Sequence, residues 1–189
     1  MAGIPGDRLF TQPKYRPLLE EWMAAWFGVE YARVVAPCEV ATNPKVDHEA
    51  DFFLRRPGAS QPAYAFQSFE VMEPGRKRSH EYRNPRPRSY DFERGRTEGV
   101  AWLEAGVQKK LAKRYAGAEA LNLLVYSNFA AADFDFNEAK RVLLPHQGKF
   151  ASLWVMSHNV TASVFSTPDL GSMQGWTPRP GTPQRVGQP

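Results

Sequence analysis

The chain has 189 residues, of which 42% are apolar, so it is long enough for one domain with a substantial core. Its 24 basic and 20 acidic residues give a net charge of +4, which is too small to indicate a polyanionic partner by itself. The sequence has no run of 18 apolar residues and no secretory pattern at its start, so we expect no contact with a membrane. A single cysteine, Cys38, allows no internal disulfide and suits a reducing compartment, so we expect a cytoplasmic location.

The first half of the chain is predicted to form a helix followed by three strands. Residues 1–14 are expected to be an irregular lead-in. Residues 15–27 have helical periodicity, and Gly28 is expected to end that helix. Strands are predicted at 31–40, 50–56 and 63–72, and the last two are expected to form an antiparallel hairpin.

The second half is predicted to add a helix and two strands after a loop at 74–97. The helix is expected at 98–116, where Val100, Leu103 and Val107 mark one apolar face. The nearly continuous apolar run at 121–129 is typical of a strand covered on both faces. The remaining predictions are a short helix with a loop at 133–149, a last strand at 150–159 and a Pro/Gly-rich, disordered tail at 167–189.

These elements predict an α/β protein with a mixed central sheet flanked by helices, in a single domain at 15–166. Periodic segments also contain most of the tryptophans. We therefore expect four of them in the core, namely Trp22, Trp26, Trp102 and Trp154.

The loop at 74–97 is rich in positive charge. Seven of its eight basic residues are arginine, which binds phosphate through two hydrogen bonds and stacks on flat rings. Aromatic residues are interleaved with them, a mixture that suits a phosphate backbone with exposed bases. The candidate nucleic-acid-binding residues are Arg76, Lys77, Arg78, Arg83, Arg86 and Arg88. A solvated loop with scattered charge is the alternative.

The order of elements, with Asp51 opening the second strand, resembles the PD-(D/E)XK nuclease superfamily, which has a restriction-endonuclease-like α-β-β-β-α-β core. The resemblance covers residues 15–130 and is carried by "ADFFL", "AFQSFEV", "VQKKLAKRY" and "LNLLVYSNF". It implies hydrolysis of phosphodiester bonds in DNA with Mg²⁺ or Mn²⁺ as cofactor. Oligomers are common in the superfamily, so a homodimer is compatible with the resemblance.

Within this resemblance Asp51 matches the first acid, but the third strand departs from the expected acid-x-lysine pattern. Strand alternation puts Gln67 and Phe69 on one face and Ser68 and Glu70 on the other. In one interpretation Gln67 replaces the acid and Phe69 the lysine. In the other, Glu70 joins Asp51 as a metal ligand.

The second interpretation lacks a lysine, and the resemblance allows one from the following helix, where Lys109 and Lys110 are candidates. Lys110 borders the apolar face of that helix, whereas Lys109 points further round. We therefore predict Asp51, Glu70, Lys110 and Gln67 as catalytic candidates, with Asp51 and Glu70 as metal ligands. Glu20 and Glu21 of the first helix are further candidate acids.

Two other functions remain open at this point. The domain is a degenerate binder of nucleic acid if Phe69 has replaced the catalytic lysine, or it is a protein-interaction module. The four histidines have no partner at metal-ligand spacing, so a zinc site is not expected. The sequence contains no GxxxxGK[ST] or GxGxxG motif for nucleotide phosphates.

Overall fold

A computed structural model describes residue 8 and residues 12–43, 49–59, 63–76, 91–113, 117–129, 135–157, 160–173 and 177–178. Three helices are α1 (Arg16–Val34), α2 (Phe92–Leu111) and α3 (Phe136–Leu143). The strands are β1 (Glu39–Thr42), β2 (Phe52–Arg55), β3 (Tyr64–Met72), β4 (Asn122–Asn128), β5 (Ser152–Met156), β6 (Val160–Phe165) and the two-residue β7 (Thr177–Pro178). No helix within these residues is long and apolar enough to cross a membrane.

All seven strands belong to one mixed sheet, in which each strand lies beside its neighbour in sequence. Strands β1, β2 and β3 are antiparallel to one another, β3, β4 and β5 are parallel, and β6 and β7 are again antiparallel. Parallel pairs need covered faces, and β4 and β5 are buried along almost their whole length. The predicted α/β class, with a mixed sheet flanked by helices, is confirmed.

Helices cover both faces of the sheet. On the face that we call the α1 face, Phe27 of α1 packs with Phe66 of β3 and Trp154 of β5. On the opposite face, the α2 face, Leu103 and Val107 of α2 belong to one cluster with side chains of β3, β4 and β5. Because strand residues alternate, even-numbered side chains of β3 lie on the α1 face and odd-numbered ones on the α2 face.

The strand predicted at 31–40 is wrong in its first half, because α1 continues through Gly28 to Val34. Gly28 is a packing site in the middle of the helix. A Cβ atom on it would lie 2.5 Å from Cγ2 of Val40, so only glycine lets β1 cross α1 this closely. Tyr31, placed in the strand by the prediction, is fully buried on the helix stripe that contains Phe27.

Helix α2 begins six residues before its predicted start. Asp91 caps it, because its side chain accepts a hydrogen bond from the backbone N–H of Arg94. The helix ends at Leu111, five residues before its predicted end at 116.

Strand β6 was not predicted, and the segment after it is not an irregular tail. Leu170 and Met173 are buried beside α1, at 0% and 1% exposure. The Ser163 hydroxyl donates to the Met173 carbonyl oxygen and accepts from the Met173 N–H. The segment 167–173 therefore belongs to the domain, and the rest of the predicted tail, apart from β7, lies outside the described residues.

Tyr31 couples this C-terminal segment to α1, since its hydroxyl donates to the carbonyl oxygen of Leu170. Burial raises the pKa of Tyr31 to about 12, although the nearby Arg56 acts in the opposite direction. An unfolded chain loses the tyrosine proton near pH 10. The folded chain keeps that proton, so the contribution of Tyr31 to stability is present below pH 10 and is lost as the pH rises towards 12.

We therefore expect the free energy of unfolding to fall by about 2 kcal/mol between pH 10 and pH 12 through Tyr31. Tyr31→Phe should be less stable than the unsubstituted chain at pH 8 and should show a shallower decline above pH 10. Urea unfolding at pH 8, 10 and 11 measures both effects. Parallel declines in the two proteins would show that Tyr31 does not carry this alkaline sensitivity.

Candidate functional site

Asp51 is held at the start of β2 by contacts on both sides. The backbone N–H of Asn43, just after β1, donates to the Asp51 carbonyl oxygen at 2.8 Å. The Asp51 N–H donates to the carbonyl oxygen of Phe66 at 2.8 Å. Its carboxylate Oδ2 accepts from the N–H of Ser68 at 2.7 Å and from the Ser68 hydroxyl at 3.0 Å. The backbone and the carboxylate of Asp51 therefore make the hydrogen bonds to Phe66 and Ser68 of β3 that a neighbouring strand would make with its backbone.

These contacts use only one of the two carboxylate oxygens of Asp51. Both hydrogen bonds reach Oδ2, and within the described part of the chain none reaches Oδ1. Asp51 itself is half-buried, so Oδ1 can meet a ligand from solvent.

Gln67 lies between the two β3 residues that bind Asp51, and its side chain lies on the α2 face. It is 8% exposed, and its Oε1 is buried without a hydrogen-bond donor among the described residues. A buried amide oxygen with no donor costs about 1–3 kcal/mol. The hydroxyl groups of Tyr64 and Thr161 are likewise buried without a partner among the described residues.

Lys110 reaches the same face from α2. It is 9% exposed, and its Nζ lies 5.2 Å from the centroid of the Phe69 ring. Such a position gives a cation–π contact, but burying an ammonium group is otherwise unfavourable. The neighbouring Lys109 is exposed, so the structure favours Lys110 over Lys109 as the lysine at the sheet.

A glycine brings α2 close enough for this contact. A Cβ atom on Gly106 would lie 2.7 Å from Cγ2 of Val71 and 3.0 Å from Cε2 of Phe69. Lys110 follows one helical turn later and lies over the same ring. Gln67 and Phe69 of β3 and Lys110 of α2 thus lie on the α2 face, and we call these three residues the Lys110 cluster. The Asp51 carboxylate instead binds the hydroxyl of Ser68, whose side chain lies on the α1 face.

Glu70 lies apart from the Lys110 cluster. Strand alternation puts its side chain on the α1 face, where Oε1 accepts from Nδ2 of Asn128 at 2.5 Å. The Asn128 carbonyl oxygen in turn accepts from Nη1 of Arg76 at 2.6 Å. Gln67 and Lys110 therefore share the α2 face, whereas Glu70 shares the α1 face with Ser68, whose hydroxyl binds the Asp51 carboxylate.

The helix acids considered as further ligands lie on α1. Glu20 is half-buried and Glu21 is exposed. Among the described residues, no group of three or more His, Cys, Asp or Glu side chains is arranged to hold a metal ion.

Acidic partners neutralise part of the basic loop. Arg94 forms ion pairs with Glu73 at 2.8 Å and with Glu98 at 2.9 Å, and its guanidinium lies 5.4 Å from the Trp102 ring centroid. Its hydrogen bond lowers the pKa of the Glu98 carboxyl group. Of the candidate phosphate-binding residues, Arg76 is the one within the described residues. The others lie outside them, namely Lys77, Arg78, Arg83, Arg86 and Arg88.

Comparison of the chain with protein-family models, curated proteins and solved structures finds no match.

We expect Asp51→Ala to lower the free energy of unfolding by about 1–3 kcal/mol, because the buried Ser68 N–H and hydroxyl lose their acceptor. Asp51→Asn keeps a carbonyl oxygen at that position and should cost less. Urea unfolding measures both values. The matched control is Ser68→Ala with and without Asp51→Ala, since the two substitutions should be less than additive if the contact is real. Equal stability of Asp51→Ala and the unsubstituted chain would contradict this role.

Proposed function

We propose that this chain is a metal-dependent phosphodiesterase that cleaves DNA, built on a restriction-endonuclease-like core. The proposal is supported by the order of α1, β1, β2, β3, α2 and β4, which is the α-β-β-β-α-β order of that core. It is also supported by Asp51, the residue that resembles the first acid of the superfamily and lies at the start of β2.

The observation that carries the proposal is the ammonium group of Lys110 over the Phe69 ring. Phe69 occupies the β3 position where the superfamily has its lysine. A lysine from the next helix that reaches this position supplies the positive charge that the strand lacks. Nine-tenths of the Lys110 surface is buried on the face of the sheet where the Gln67 amide oxygen has no donor, which supports a functional role for this face.

The carboxylate and amide oxygens of Asp51 and Gln67 have the chemistry that a hard cation prefers. Mg²⁺ prefers oxygen ligands and is commonly held by one or two carboxylates together with substrate phosphates. Asp51 Oδ1 would provide the charged ligand. Gln67 Oε1 on the α2 face and the Glu70 carboxylate on the α1 face are the two candidates for the second ligand. When bound, the cation would polarise the phosphoryl group and lower the pKa of a bound water.

The remaining steps belong to side chains of this chain. Lys110 would hold the attacking water or offset the negative charge that develops on the phosphoryl oxygens. Ser68 would keep the Asp51 carboxylate in place through its two hydrogen bonds. Arg76 donates to the Asn128 carbonyl oxygen and, together with the basic residues that follow it, would bind the DNA backbone.

Glu70 is the alternative second acid in this proposal. Its contact with Asn128 favours a structural role at the ends of β3 and β4, whereas its place on the α1 face puts it on the side of Ser68, which binds Asp51. Comparison of Glu70→Gln with Asp51→Asn therefore decides whether the catalytic site uses one or both carboxylates.

A second candidate function is a nuclease-like domain that binds nucleic acid, or a protein partner, without cleavage. Gln67 and Phe69 favour it, because they stand where the superfamily has its acid and its lysine. Such a binder of nucleic acid would lose affinity steeply with salt and would not respond to divalent cations by cutting.

We expect the purified chain to cleave DNA with Mg²⁺ or Mn²⁺ and to lose at least about a hundredfold in rate on Asp51→Asn or on Lys110→Met. Methionine keeps the length and the apolar stem of lysine, so Lys110→Met tests the charge. Lys109→Met, on the exposed neighbour, is the matched control and should retain full activity. Single-turnover cleavage of labelled single-stranded and duplex DNA measures all four proteins.

A transferred lysine gives the sharper test. Phe69→Lys in the Lys110→Met background returns an ammonium group to the strand position. The double variant should cleave DNA at least about tenfold faster than Lys110→Met alone. Gln67→Glu should lower the metal concentration needed for half-maximal rate, because a carboxylate replaces a neutral ligand. Full metal-dependent cleavage by Asp51→Asn would refute this site. Salt-sensitive DNA binding without any cleavage would favour the second candidate function.

A further inference from the structure

Two buried hydrogen-bond donors without an acceptor lie near the end of β2 that is farther from Asp51. Arg56 directly follows β2, and Tyr64 is the first residue of β3. Tyr64 is 3% exposed, and its hydroxyl has no hydrogen-bond partner among the described residues. The Nε of Arg56 is also buried and has no acceptor in that part of the chain. We call Arg56 and Tyr64, together with the neighbouring Tyr31, the Arg56 corner.

The pairing of β2 with β3 brings the two donors together. Leu54 of β2 lies opposite Tyr64, and Arg56 follows Leu54 by two residues, so the side chains of Arg56 and Tyr64 lie on the α1 face. Burial raises the pKa of Tyr64 most, the Asp169 carboxylate raises it further, and Arg56 lowers it. The guanidinium group of Arg56 therefore lies within electrostatic range of the Tyr64 hydroxyl.

The C-terminal segment at 167–173 lies against the Arg56 corner. Nη1 of Arg56 donates to the carbonyl oxygen of Asp169. A Cβ atom on Gly171, which has a φ of +75°, would lie 3.8 Å from the same Nη1. The contact with Asp169 uses Nη1 and leaves Nε, a separate donor of the planar guanidinium group, for another acceptor. Because Arg56 is half-buried and Asp169 is exposed, the corner lies just beneath the surface.

Two directed donors beside a permanent positive charge have the chemistry of an oxyanion site. Arginine N–H groups and tyrosine hydroxyls both donate to carboxylate and phosphate oxygens, and hydrogen bonds to a charged acceptor are the stronger kind. We propose that the Arg56 corner binds a small oxyanion, a carboxylate or a phosphate, between Nε of Arg56 and the hydroxyl of Tyr64. The ion would supply the acceptor that both donors lack. This site is independent of the nuclease activity.

The Asp169 carboxylate would oppose such an ion. It lies within electrostatic range of the Tyr64 hydroxyl, so a bound anion would be repelled by it. Asp169→Asn should therefore bind the oxyanion several-fold more tightly than the unsubstituted chain. A gain of affinity is a result that a purely structural role of these residues would not produce.

Tyr64→Phe separates ligand binding from folding, because it removes only the hydroxyl. Without an oxyanion the variant should be at least as stable as the unsubstituted chain, since a buried hydroxyl without a partner does not stabilise the fold. With the oxyanion the unsubstituted chain should gain more stability, because it binds the ion more tightly. Urea unfolding in sodium phosphate, in sodium acetate and in sodium chloride of equal ionic strength measures both effects and distinguishes phosphate from carboxylate.

Calorimetric titration of the full chain with phosphate and with acetate gives the dissociation constants. Tyr64→Phe and Arg56→Lys should each weaken binding at least about tenfold, since each removes a hydrogen bond to a charged acceptor. Lysine keeps the charge of Arg56 but lacks its Nε. Arg55→Lys is the matched control and should leave the affinity unchanged, because Arg55 is exposed, pairs with Glu39 and lies on the α2 face.

Three results would overturn the proposal. The first is equal stability of the folded, unsubstituted chain in phosphate, acetate and chloride. The second is an oxyanion affinity that neither Tyr64→Phe nor Arg56→Lys changes, which would place the bound ion on other basic residues. The third is a loss of stability in Asp169→Asn without any gain in oxyanion affinity, which would make the Asp169 carboxylate itself the acceptor for the two donors.

Discussion

The close approach of α2 to β3 at Gly106 is the constraint on which the candidate site depends. Any larger residue would meet Val71 and Phe69 through its Cβ atom, so the distance between helix and sheet is set by a missing side chain. That distance brings Lys110 over Phe69, with nine-tenths of its surface buried. A longer separation would let the flexible lysine stem carry its ammonium group back to water, as most surface lysines do. The glycine therefore accounts for a buried charge that no feature of Lys110 itself explains.

Much of the fold could be predicted because apolar residues recur with a clear period in most of its segments. The strands β2 to β5 and helix α2 have alternating, continuous or helical apolar patterns, and the structure contains each of them. The end of α1 could not be predicted in the same way. Gly28 is a local stop signal, but in the folded chain its lack of a side chain accommodates Val40. Tertiary packing outweighs propensity there, and it also explains why the segment after β6 folds despite its proline and glycine content.

The candidate site could be predicted only in part, for a geometric reason. Helix spacing alone indicated that Lys110 borders the apolar stripe of α2. Lys110 lies on the same face of the sheet as either Gln67 or Glu70. Which of the two depends on whether the odd-numbered or the even-numbered side chains of β3 point towards α2. A slip of one residue exchanges the two faces, and no local pattern determines it. The missing donor for Gln67 Oε1 is likewise a property of the assembled core, since it depends on what β2 and α2 place around one amide group.

The resulting arrangement has a consequence for how a cation would bind. With Gln67 as the second ligand, the site offers the Asp51 carboxylate and one amide oxygen, and the ammonium group of Lys110 on the face of Gln67 repels a divalent cation. Two such protein ligands are too few to hold Mg²⁺ without help, so phosphate oxygens of the nucleic acid would have to complete the coordination. Cation and DNA would then bind jointly, each raising the apparent affinity for the other through the same coupling free energy. Weak cation binding by the chain alone would therefore be compatible with a catalytic site, whereas cation affinity that does not change when DNA is added would not.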